Sequence, residues 1–467
     1  MIGRNISALV AAQVATKAIN LLVSVALVRW LGVHELGRYA YVLAFCFPFG
    51  ALADLGLATL AIRDASRAPA AAPRVIAVVR RVAVSLAAAS AAMMVGLALL
   101  LGHDAVVVVG IGLCGLASIV SALTMPSLVF LTARERMDRL SLYRVAGSVL
   151  ASAITVGVLL AGGGVVALLA GSLATSAVMW LFARMLAGAS GPAPALPPGA
   201  GAALLKRAVP FGLLMAGFAL YYRVDMVMLE WLAAPGELGR YAAAYRFLDA
   251  VIALAASLGG PLFPRLSSVA LSAPGEARRL LEAGWRPLLA LGLPLTVGTV
   301  VVAGDLVALL FGPEFAGAAP LLRLLIVGTL PLFWVNVANH ALIAGDRVWA
   351  LVGVYALGAL VNVAGNLVLV PRFGAAGSAV ATVVCEWLNL VLVVRLLRGA
   401  FGVTASGAGL WRYLAATGGM LAALGLAHPL GVAPAIALAA AAYAASLWAL
   451  GYTRSADHLA VKRLLAQ

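Results

Sequence analysis

The chain has 467 residues, of which 64% are hydrophobic and only 10% are charged. A soluble domain carries about 25% charged residues, so this composition argues against water as the main solvent. The net charge of +15 comes from basic residues placed singly or in pairs between apolar runs, which argues against a nucleic-acid-binding surface. Cys46, Cys114 and Cys385 form no C-x-x-C spacing, so we expect neither disulfides nor a metal site.

Apolar runs long enough to cross a bilayer once recur along the whole chain. A membrane-spanning helix needs about 20 predominantly apolar residues. Fourteen spans are predicted, at 6–31, 39–62, 82–101, 105–131, 145–160, 164–182, 208–232, 241–262, 288–310, 324–342, 348–370, 376–394, 413–426 and 432–450. The first is too long for a signal-peptide core, so we expect it to stay as a span. The sequence therefore predicts an all-α polytopic membrane protein.

The distribution of lysine and arginine predicts the orientation. Of the 32 basic residues, 24 fall at the two termini or in the loops after even-numbered spans, against five on the opposite side. Cytoplasmic loops carry an excess of such residues. We therefore expect both termini to be cytoplasmic. The outer loops are short, so the function is expected within the membrane.

An internal repeat predicts two lobes. The sequence Glu-Leu-Gly-Arg-Tyr-Ala occurs at 35–40 and again at 237–242, each time just after the first span of a six-span set. Six intervening spans give both sets the same orientation, as in parallel repeats. We predict a six-helix lobe at 1–187, a linker rich in Pro, Gly and Ala at 188–206, a second six-helix lobe at 207–402, and a helix pair with a cytoplasmic tail at 403–467.

Three glycines in the fourth predicted span imitate a nucleotide-binding motif. Gly110, Gly112 and Gly115 satisfy G-x-G-x-x-G. That fingerprint requires a strand before it and an acidic residue about twenty positions later, and neither is expected inside a membrane span. We interpret these glycines as sites of close helix packing.

Several short motifs resemble one transporter family. They are Trp30-Leu31-Gly32, Gly37-Arg38-Tyr39 and Ala53-Asp54-Leu55-Gly56 running into Arg63, then Phe263-Pro264-Arg265-Leu266-Ser267 and Pro371-Arg372-Phe373-Gly374-Ala375-Ala376-Gly377. Their order and spacing resemble the lipid-linked oligosaccharide flippases, a branch of the multidrug/oligosaccharidyl-lipid/polysaccharide exporter superfamily. The likeness covers nearly the whole chain.

The resemblance implies two facing lobes, a central cavity and alternating access. It implies a non-enzymatic transporter in a bacterial inner membrane that serves polysaccharide export. The cargo would be an oligosaccharide on a polyprenyl diphosphate, turned from the cytoplasmic to the outer leaflet. The resemblance also implies contact with the bilayer and with other polysaccharide assembly proteins. Two alternatives remain. A cation-coupled drug exporter of the same superfamily is disfavoured because a cationic cavity repels cationic drugs. A membrane polysaccharide polymerase or ligase would need a larger outer loop.

Three cations inside predicted spans are candidates for binding the diphosphate. Ionisable groups are costly in a membrane and normally face a wet cavity or a partner. Lys17 shares one helical face with Gln13, Asn20 and Ser24, a face expected to line the cavity. Arg223 and Arg246 lie in the first two spans of the second lobe. The alternative is structural pairing: Lys17 with Asp54, and Arg223 and Arg246 in ion pairs between adjacent helices, with Arg246 also close enough to pair with Asp249 on its own span.

Other polar residues inside spans are candidates for ion coupling or sugar contact. Four carboxylates lie away from predicted span ends: Asp54, Asp225, Asp249 and Glu386. We expect at least one to bind a coupling proton or sodium ion, with Asp249 the first candidate because it neighbours Arg246. No other cofactor is expected. Polar side chains in later spans suit sugar hydroxyls, though interhelical hydrogen bonds explain them equally well. They form three stripes: Asn336, Asn339 and His340; Asn362 and Asn366; and Thr382, Glu386 and Asn389.

Overall fold

The computed structural model describes residues 2–67, 71–188, 199–259, 266, 268–404 and 409–452. Within these ranges the chain forms fourteen α-helices. They are α1 (Ile2–Asp54), α2 (Leu57–Arg67), α3 (Ala72–Leu100), α4 (Ala105–Ala133), α5 (Met137–Leu160), α6 (Val165–Ala187), α7 (Ala200–Leu232), α8 (Glu237–Gly259), α9 (Pro274–Phe311), α10 (Ala318–Val327), α11 (Thr329–Ala344), α12 (Val348–Phe401), α13 (Leu410–Ala427) and α14 (Val432–Ala449). The described chain contains no strand, so the predicted all-α fold is confirmed.

The helices account for the predicted membrane spans. Ten of those in the described chain are long and apolar enough to cross a membrane, and α10 with α11 adds an eleventh candidate, bent by 42°. Two of the long helices, α1 and α12, each contain two predicted spans. The two spans are separated by non-helical backbone at Gly32 in α1 and at Gly374 in α12. α8 covers the remaining predicted span. The protein is therefore a multi-pass membrane protein. Because α1 ends at Asp54, the last residues of the predicted span 39–62 form the start of short α2.

The chain divides into two compact units, Met1–Glu230 and Trp231–Gln467. The division falls near the end of α7, so most of this helix belongs to unit 1, whereas the repeat assigns it to the second lobe. The predicted lobe boundaries rest on the repeat and stay a prediction. Of the predicted linker, residues 189–198 lie outside the described ranges.

In unit 1, small residues let the helices pack closely. α4 lies against α3 and α6, while α1 packs against α3, α4 and α5. A Cβ at Gly115 would lie 2.8 Å from Met94 Cε and 3.0 Å from Ala91 Cβ, and one at Gly110 would lie 2.8 Å from Leu169 Cδ1. The packing interpretation of these two glycines is confirmed. Gly112 differs, since a Cβ there has nothing within 4 Å.

Unit 2 packs around α9 and α12. Helix α9 contacts α10, α11 and α13, and α8 contacts α10, α11 and α12. The predicted final helix pair, α13 and α14, packs together and against α9 through a cluster that includes Val302, Met420, Leu424 and Ala435. The apolar faces of this pair therefore join it to the rest of unit 2.

The break in α12 is held by the repeated Glu-Leu-Gly-Arg-Tyr-Ala sequence. Gly374 has φ 56° and ψ −138°, a conformation that residues with a Cβ rarely adopt. The Glu237 carboxylate accepts a hydrogen bond from the Ala375 backbone N–H, directly after the break. Its counterpart Glu35 instead accepts from Arg38 Nη1 at 3.0 Å. The same repeated residue thus makes different contacts in the two units.

Gly374→Ala is expected to destabilise the protein by about 1–3 kcal/mol, the cost of forcing a residue with a Cβ into such a conformation. The added Cβ would also lie 2.7 Å from Glu237 Cδ. The measurement is thermal unfolding of purified protein in detergent. Gly353→Ala is the matched control, because a Cβ added at this α12 glycine has nothing within 4 Å. Equal unfolding temperatures for the two variants would contradict the prediction.

Candidate functional site

The polar face of the first span is partly described. The side chains of Gln13 and Lys17 lie outside the described residues. Further along the same face, Asn20 Oδ1 accepts hydrogen bonds from Ser148 Oγ at 2.9 Å and Ser152 Oγ at 3.0 Å, both on α5. Ser24 is half-buried. The described part of this face therefore contacts a neighbouring helix through hydrogen bonds.

Arg223 lies among aromatic rings in unit 1. Its guanidinium carbon is 4.6 Å from the centre of the Tyr222 ring and 5.9 Å from that of Phe47 on α1. Tyr222 stacks on Phe218 with ring centres 5.5 Å apart. Arg223 Nη1 also lies 3.5 Å from Met226 Sδ. Aromatic faces attract a cation, and the planar guanidinium of arginine stacks on them. We call Phe47, Phe218, Tyr222 and Arg223 the arginine–aromatic cluster.

Two ion pairs within single helices are not observed. In the described chain no ion pair joins Arg223 to Glu230, or Arg246 to Asp249. Arg246 and Asp249 are half-buried on α8. Asp225 is only 1% exposed, and its Oδ1 accepts from the Met226 N–H at 2.8 Å. The pairing of Lys17 with Asp54 lies outside the described residues, although Asp54 itself is half-buried at the end of α1.

A second cluster of charges lies at the start of α4. Arg38 binds Glu35 at 3.0 Å and Asp104 at 3.2 Å. Asp104 also caps α4 by accepting from the Val107 N–H at 2.8 Å. Neighbouring His103, between two spans, is 2.7 Å from Tyr41 Oη, and desolvation lowers its pKa. Arg38, the arginine of the repeated sequence, therefore joins α1 to the start of α4 in unit 1.

A column of buried polar side chains runs through unit 2 along α12. Its members on α12 are Asn362, Asn366, Ser378, Thr382, Glu386 and Asn389, all at most 6% exposed. Asn366 Nδ2 donates to Asn362 Oδ1 at 2.7 Å, and Tyr241 Oη is 3.2 Å from Thr382 Oγ1. The two arms of α12 lie side by side, which brings residues on both sides of the Gly374 break together. We call this set, with Tyr355 and Asn339, the polar column.

Glu386 is the carboxylate of the polar column. It is 5% exposed, and it interacts electrostatically with the hydroxyl of Tyr355. That hydroxyl accepts from Asn339 Nδ2 at 2.6 Å. Glu386 also lies at the bend between α10 and α11, since a Cβ at Gly328 would be 3.5 Å from its Cγ. An ionisable group buried inside a membrane span is a candidate for ion binding, and transporters form such sites beside broken helices.

Several oxygens near the column lack hydrogen-bond partners within the described residues. They are the Oδ1 atoms of Asn336, Asn339, Asn366 and Asn389, and Ser378 Oγ. A buried polar atom without a partner costs about 1–3 kcal/mol, so such atoms usually meet water or a ligand. Amide and hydroxyl oxygens are also ligands for hard cations. His340 is half-buried beside Asn339 on α11.

Sequence reasoning did not identify every residue of these two sites. Ser378 was missed, although it lies four residues before Thr382 and eight before Glu386, a spacing that places it on the same face of α12 as these two predicted residues. Tyr355 gave no such signal, because a tyrosine in an apolar span is usually a packing residue. Phe47 joins Arg223 only through the packing of α1 on α7.

Two sequence families match the chain over more than half of its length. The family described as "Polysaccharide biosynthesis protein" matches residues 2–270, and that described as "Lipid II flippase MurJ" matches residues 144–450. The chain is 27% identical over 275 residues to "Probable flippase AglR" of Haloferax volcanii. That match covers 57% of this chain and 56% of the relative, so the chain spans little more than half of that protein.

Solved structures of two kinds share the fold. A structure of lipid II flippase MurJ in an inward closed conformation matches with a TM-score of 0.78 at 13% identity, covering 96% of this chain and 98% of that one. An inward-facing multidrug transporter of the MATE family matches with a TM-score of 0.67 at 15% identity, covering 83% and 94%. At such identities the likeness establishes the fold alone, which is the two-lobe fold predicted from the sequence.

Proposed function

Because this chain belongs to the lipid-linked oligosaccharide flippases of the multidrug/oligosaccharidyl-lipid/polysaccharide exporter superfamily, we propose that it moves a polyprenyl-diphosphate-linked oligosaccharide from the cytoplasmic to the outer leaflet by alternating access. The observation that carries the proposal is Arg223, a cation held inside a predicted span by the arginine–aromatic cluster. A diphosphate needs such a cation to enter the membrane interior. Aromatic faces beside it suit the apolar faces of sugar rings.

Lys17 and Arg246 are the other two cations proposed to bind the diphosphate, and polar side chains in the later spans are the proposed sugar contacts. Half-buried Arg246 makes no ion pair within the described residues, which is consistent with a cation kept for a substrate. A guanidinium presents several donors to phosphate oxygens, whereas Lys17 acts as a point charge.

Ion coupling is proposed to run through the polar column. Of the four candidate carboxylates, Glu386 combines deep burial, hydroxyl and amide neighbours and a broken span beside it. These features favour it over Asp249, the first candidate from sequence. A proton or a sodium ion bound there would change the charge of unit 2 and so bias the conformations used in transport.

A drug exporter is the second candidate function, favoured by the fold shared with multidrug transporters. Its cargo is usually cationic, and Arg223 would repel it. We propose a transporter in preference to an enzyme, because the described connections α3–α4 and α5–α6 span only residues 101–104 and 161–164. These offer little room for catalytic groups outside the membrane.

The proposed orientation places both termini and the basic loops in the cytoplasm of a bacterial inner membrane. Single cysteines introduced at Arg74 and Arg136 are expected to resist an impermeant thiol reagent in whole cells, because the arginine-rich loops stay inside. A cysteine introduced at Gly162, in the α5–α6 connection, is the control and is expected to react readily. Labelling of the first two at the rate of the control would overturn the orientation.

Loss of the protein from its native cell tests the proposed function. A flippase defect is expected to stop surface glycan and to leave the lipid-linked oligosaccharide accumulated on the cytoplasmic leaflet, because synthesis continues while transfer stops. The accumulated lipid is extracted and identified by mass spectrometry. Unchanged surface glycan, or loss of glycan with the lipid-linked precursor on the outer leaflet, would contradict the proposal.

A further inference from the structure

Two of the three cysteines lie next to each other in unit 1. Cys46 on α1 and Cys114 on α4 are free and half-buried, and their thiols are close enough to interact electrostatically. The third cysteine, Cys385, is 1% exposed in unit 2, where its Sγ donates to the Gly358 carbonyl at 3.7 Å. The sequence contains no C-x-x-C spacing, yet tertiary packing forms a cysteine pair from two distant segments.

The packing of α1 on α4 explains why these thiols meet. The two helices contact each other from the Arg38 ion pair with the start of α4 onward. Further along, a Cβ added at Gly110 would lie 3.4 Å from Val42 Cγ2, so the two backbones approach closely there. Cys46 and Cys114 each follow this contact by four residues, which is about one turn and the same helical face. Because both helices run in the same direction, this register places one thiol opposite the other.

The surroundings of the pair allow a disulfide to form. A disulfide needs the two Cα atoms to lie about 4.4–6.8 Å apart, a spacing that packed helices reach where small side chains let their backbones approach. Gly110 provides that approach one turn earlier. The depths also match, because at about 1.5 Å per residue Cys46 lies about 10 Å into its predicted span and Cys114 about 14 Å into its own. In the proposed orientation both depths count from the outer surface.

We propose that Cys46 and Cys114 are a redox modification site, at which hydrogen peroxide converts the two thiols to a disulfide between α1 and α4. One thiol is oxidised to a sulfenic acid as the O–O bond of the peroxide breaks and one water is released. The other thiol then attacks that sulfur, the S–S bond forms, and the sulfenic oxygen leaves as a second water. Two thiols and one hydrogen peroxide thus give one disulfide and two waters.

The position of the pair suits this chemistry. Hydrogen peroxide is small and uncharged, so it reaches half-buried groups inside a membrane. The outer half of the membrane lies away from the polar cytoplasmic reductants that keep thiols reduced, so a disulfide formed there persists. Cysteine is also rare in this chain, with three among 467 residues, whereas alanine, valine and leucine fill its apolar spans. Packing alone therefore does not require two thiols to face each other.

The disulfide would restrain α1 beside the arginine–aromatic cluster. Phe47, a member of that cluster, directly follows Cys46. A cross-link that closes a long chain segment removes freedom from the unfolded state, so it is expected to raise the unfolding temperature by about 5 °C. The inference does not depend on the proposed function, because neither the link nor the unfolding temperature requires transport.

The test is peptide mapping by mass spectrometry of the full chain in lipid nanodiscs that each hold one molecule. The protein is treated with hydrogen peroxide, the remaining thiols are alkylated after unfolding, and the digest is analysed with and without a reductant. We expect a Cys46–Cys114 linked peptide that the reductant removes, while Cys385 is alkylated. Cys114→Ala should abolish the link, and Cys46→Ala serves if Cys114→Ala does not reach wild-type abundance. Cys385→Ala is the matched control and should form the link as the wild type does.

Sulfinic acid on either thiol without a linked peptide would show that the two sulfurs do not meet, and it would overturn the inference. Full alkylation of both thiols after peroxide treatment, or a link that joins either of them to Cys385, would overturn it as well. Reduction should also reverse the rise in unfolding temperature, and Cys114→Ala should show no rise. A linked wild type that unfolds at the temperature of the reduced protein would contradict the restraint on α1.

Discussion

Arg223→Gln is expected to abolish export of the glycan while the protein stays in the membrane at normal abundance. The change removes the guanidinium from the arginine–aromatic cluster and keeps a polar side chain of similar length. An uncompensated charge in a membrane costs from a few to more than ten kcal/mol, so losing one fixed cation is expected to slow transfer about a hundredfold or more. Surface glycan per cell, normalised to protein in the membrane, is the measurement.

Arg207→Gln is the control for this change. Arg207 lies on the same helix but is half exposed and pairs with Asp64 at 2.9 Å, a surface contact expected to contribute little. Arg223→Lys should retain partial activity, because it keeps the charge and loses the planar stacking on Tyr222. Lys17→Gln and Arg246→Gln are predicted to fail as well, and Lys17→Arg to retain some activity. If all three neutral variants exported normally, the cargo would be held elsewhere.

Glu386→Gln is expected to remove the dependence of transport on an ion gradient. Glutamine keeps the size and hydrogen-bonding capacity of the side chain but cannot bind a proton or balance a sodium ion within the polar column. Transport by the wild type in vesicles should respond to an imposed proton or sodium gradient. The variant should be indifferent to both and slower by about tenfold or more, since an ion bound to a buried carboxylate accounts for at least a few kcal/mol.

Two other carboxylates separate this effect from a general loss of charge. Asp138 has a side chain 70% exposed near Arg136, so Asp138→Asn is expected to behave as the wild type. Asp249→Asn tests the residue that the sequence favours. Full gradient dependence in Glu386→Gln, together with its loss in Asp249→Asn, would contradict the prediction. It would identify Asp249 on α8 as the coupling residue instead of Glu386.

Much of the fold is predictable because the bilayer imposes it. Each backbone group in lipid must be hydrogen-bonded within its own helix, so apolar length alone locates the spans. The repeat at Glu35 and Glu237 indicates two related sets of helices. The sequence does not reveal that two neighbouring spans form one nearly continuous helix. Gly32 and Gly374 bend α1 and α12 without ending the helical pattern, because one glycine with non-helical backbone is enough to turn the chain.

The candidate sites are less predictable because they combine residues from distant segments. Charge inside a span singled out Arg223, yet the Phe47 ring beside it comes from α1 and carries no polar signal. The four-residue spacing of Thr382 and Glu386 indicates one polar face on α12. The role of Tyr355 depends on its contact with Asn339 of α11, which only tertiary packing determines. Ionisable groups are therefore predictable as candidates, and their partners are not.

Reconstitution of the purified protein tests the flippase most directly. Vesicles contain a labelled polyprenyl-diphosphate oligosaccharide, and an impermeant glycosidase added outside measures how much of it reaches the outer leaflet. The wild type is expected to expose lipid initially held in the inner leaflet, and Arg223→Gln is expected to leave it protected at the level of empty vesicles. Exposure by the wild type no greater than that of empty vesicles, or equal exposure by both proteins, would contradict the account.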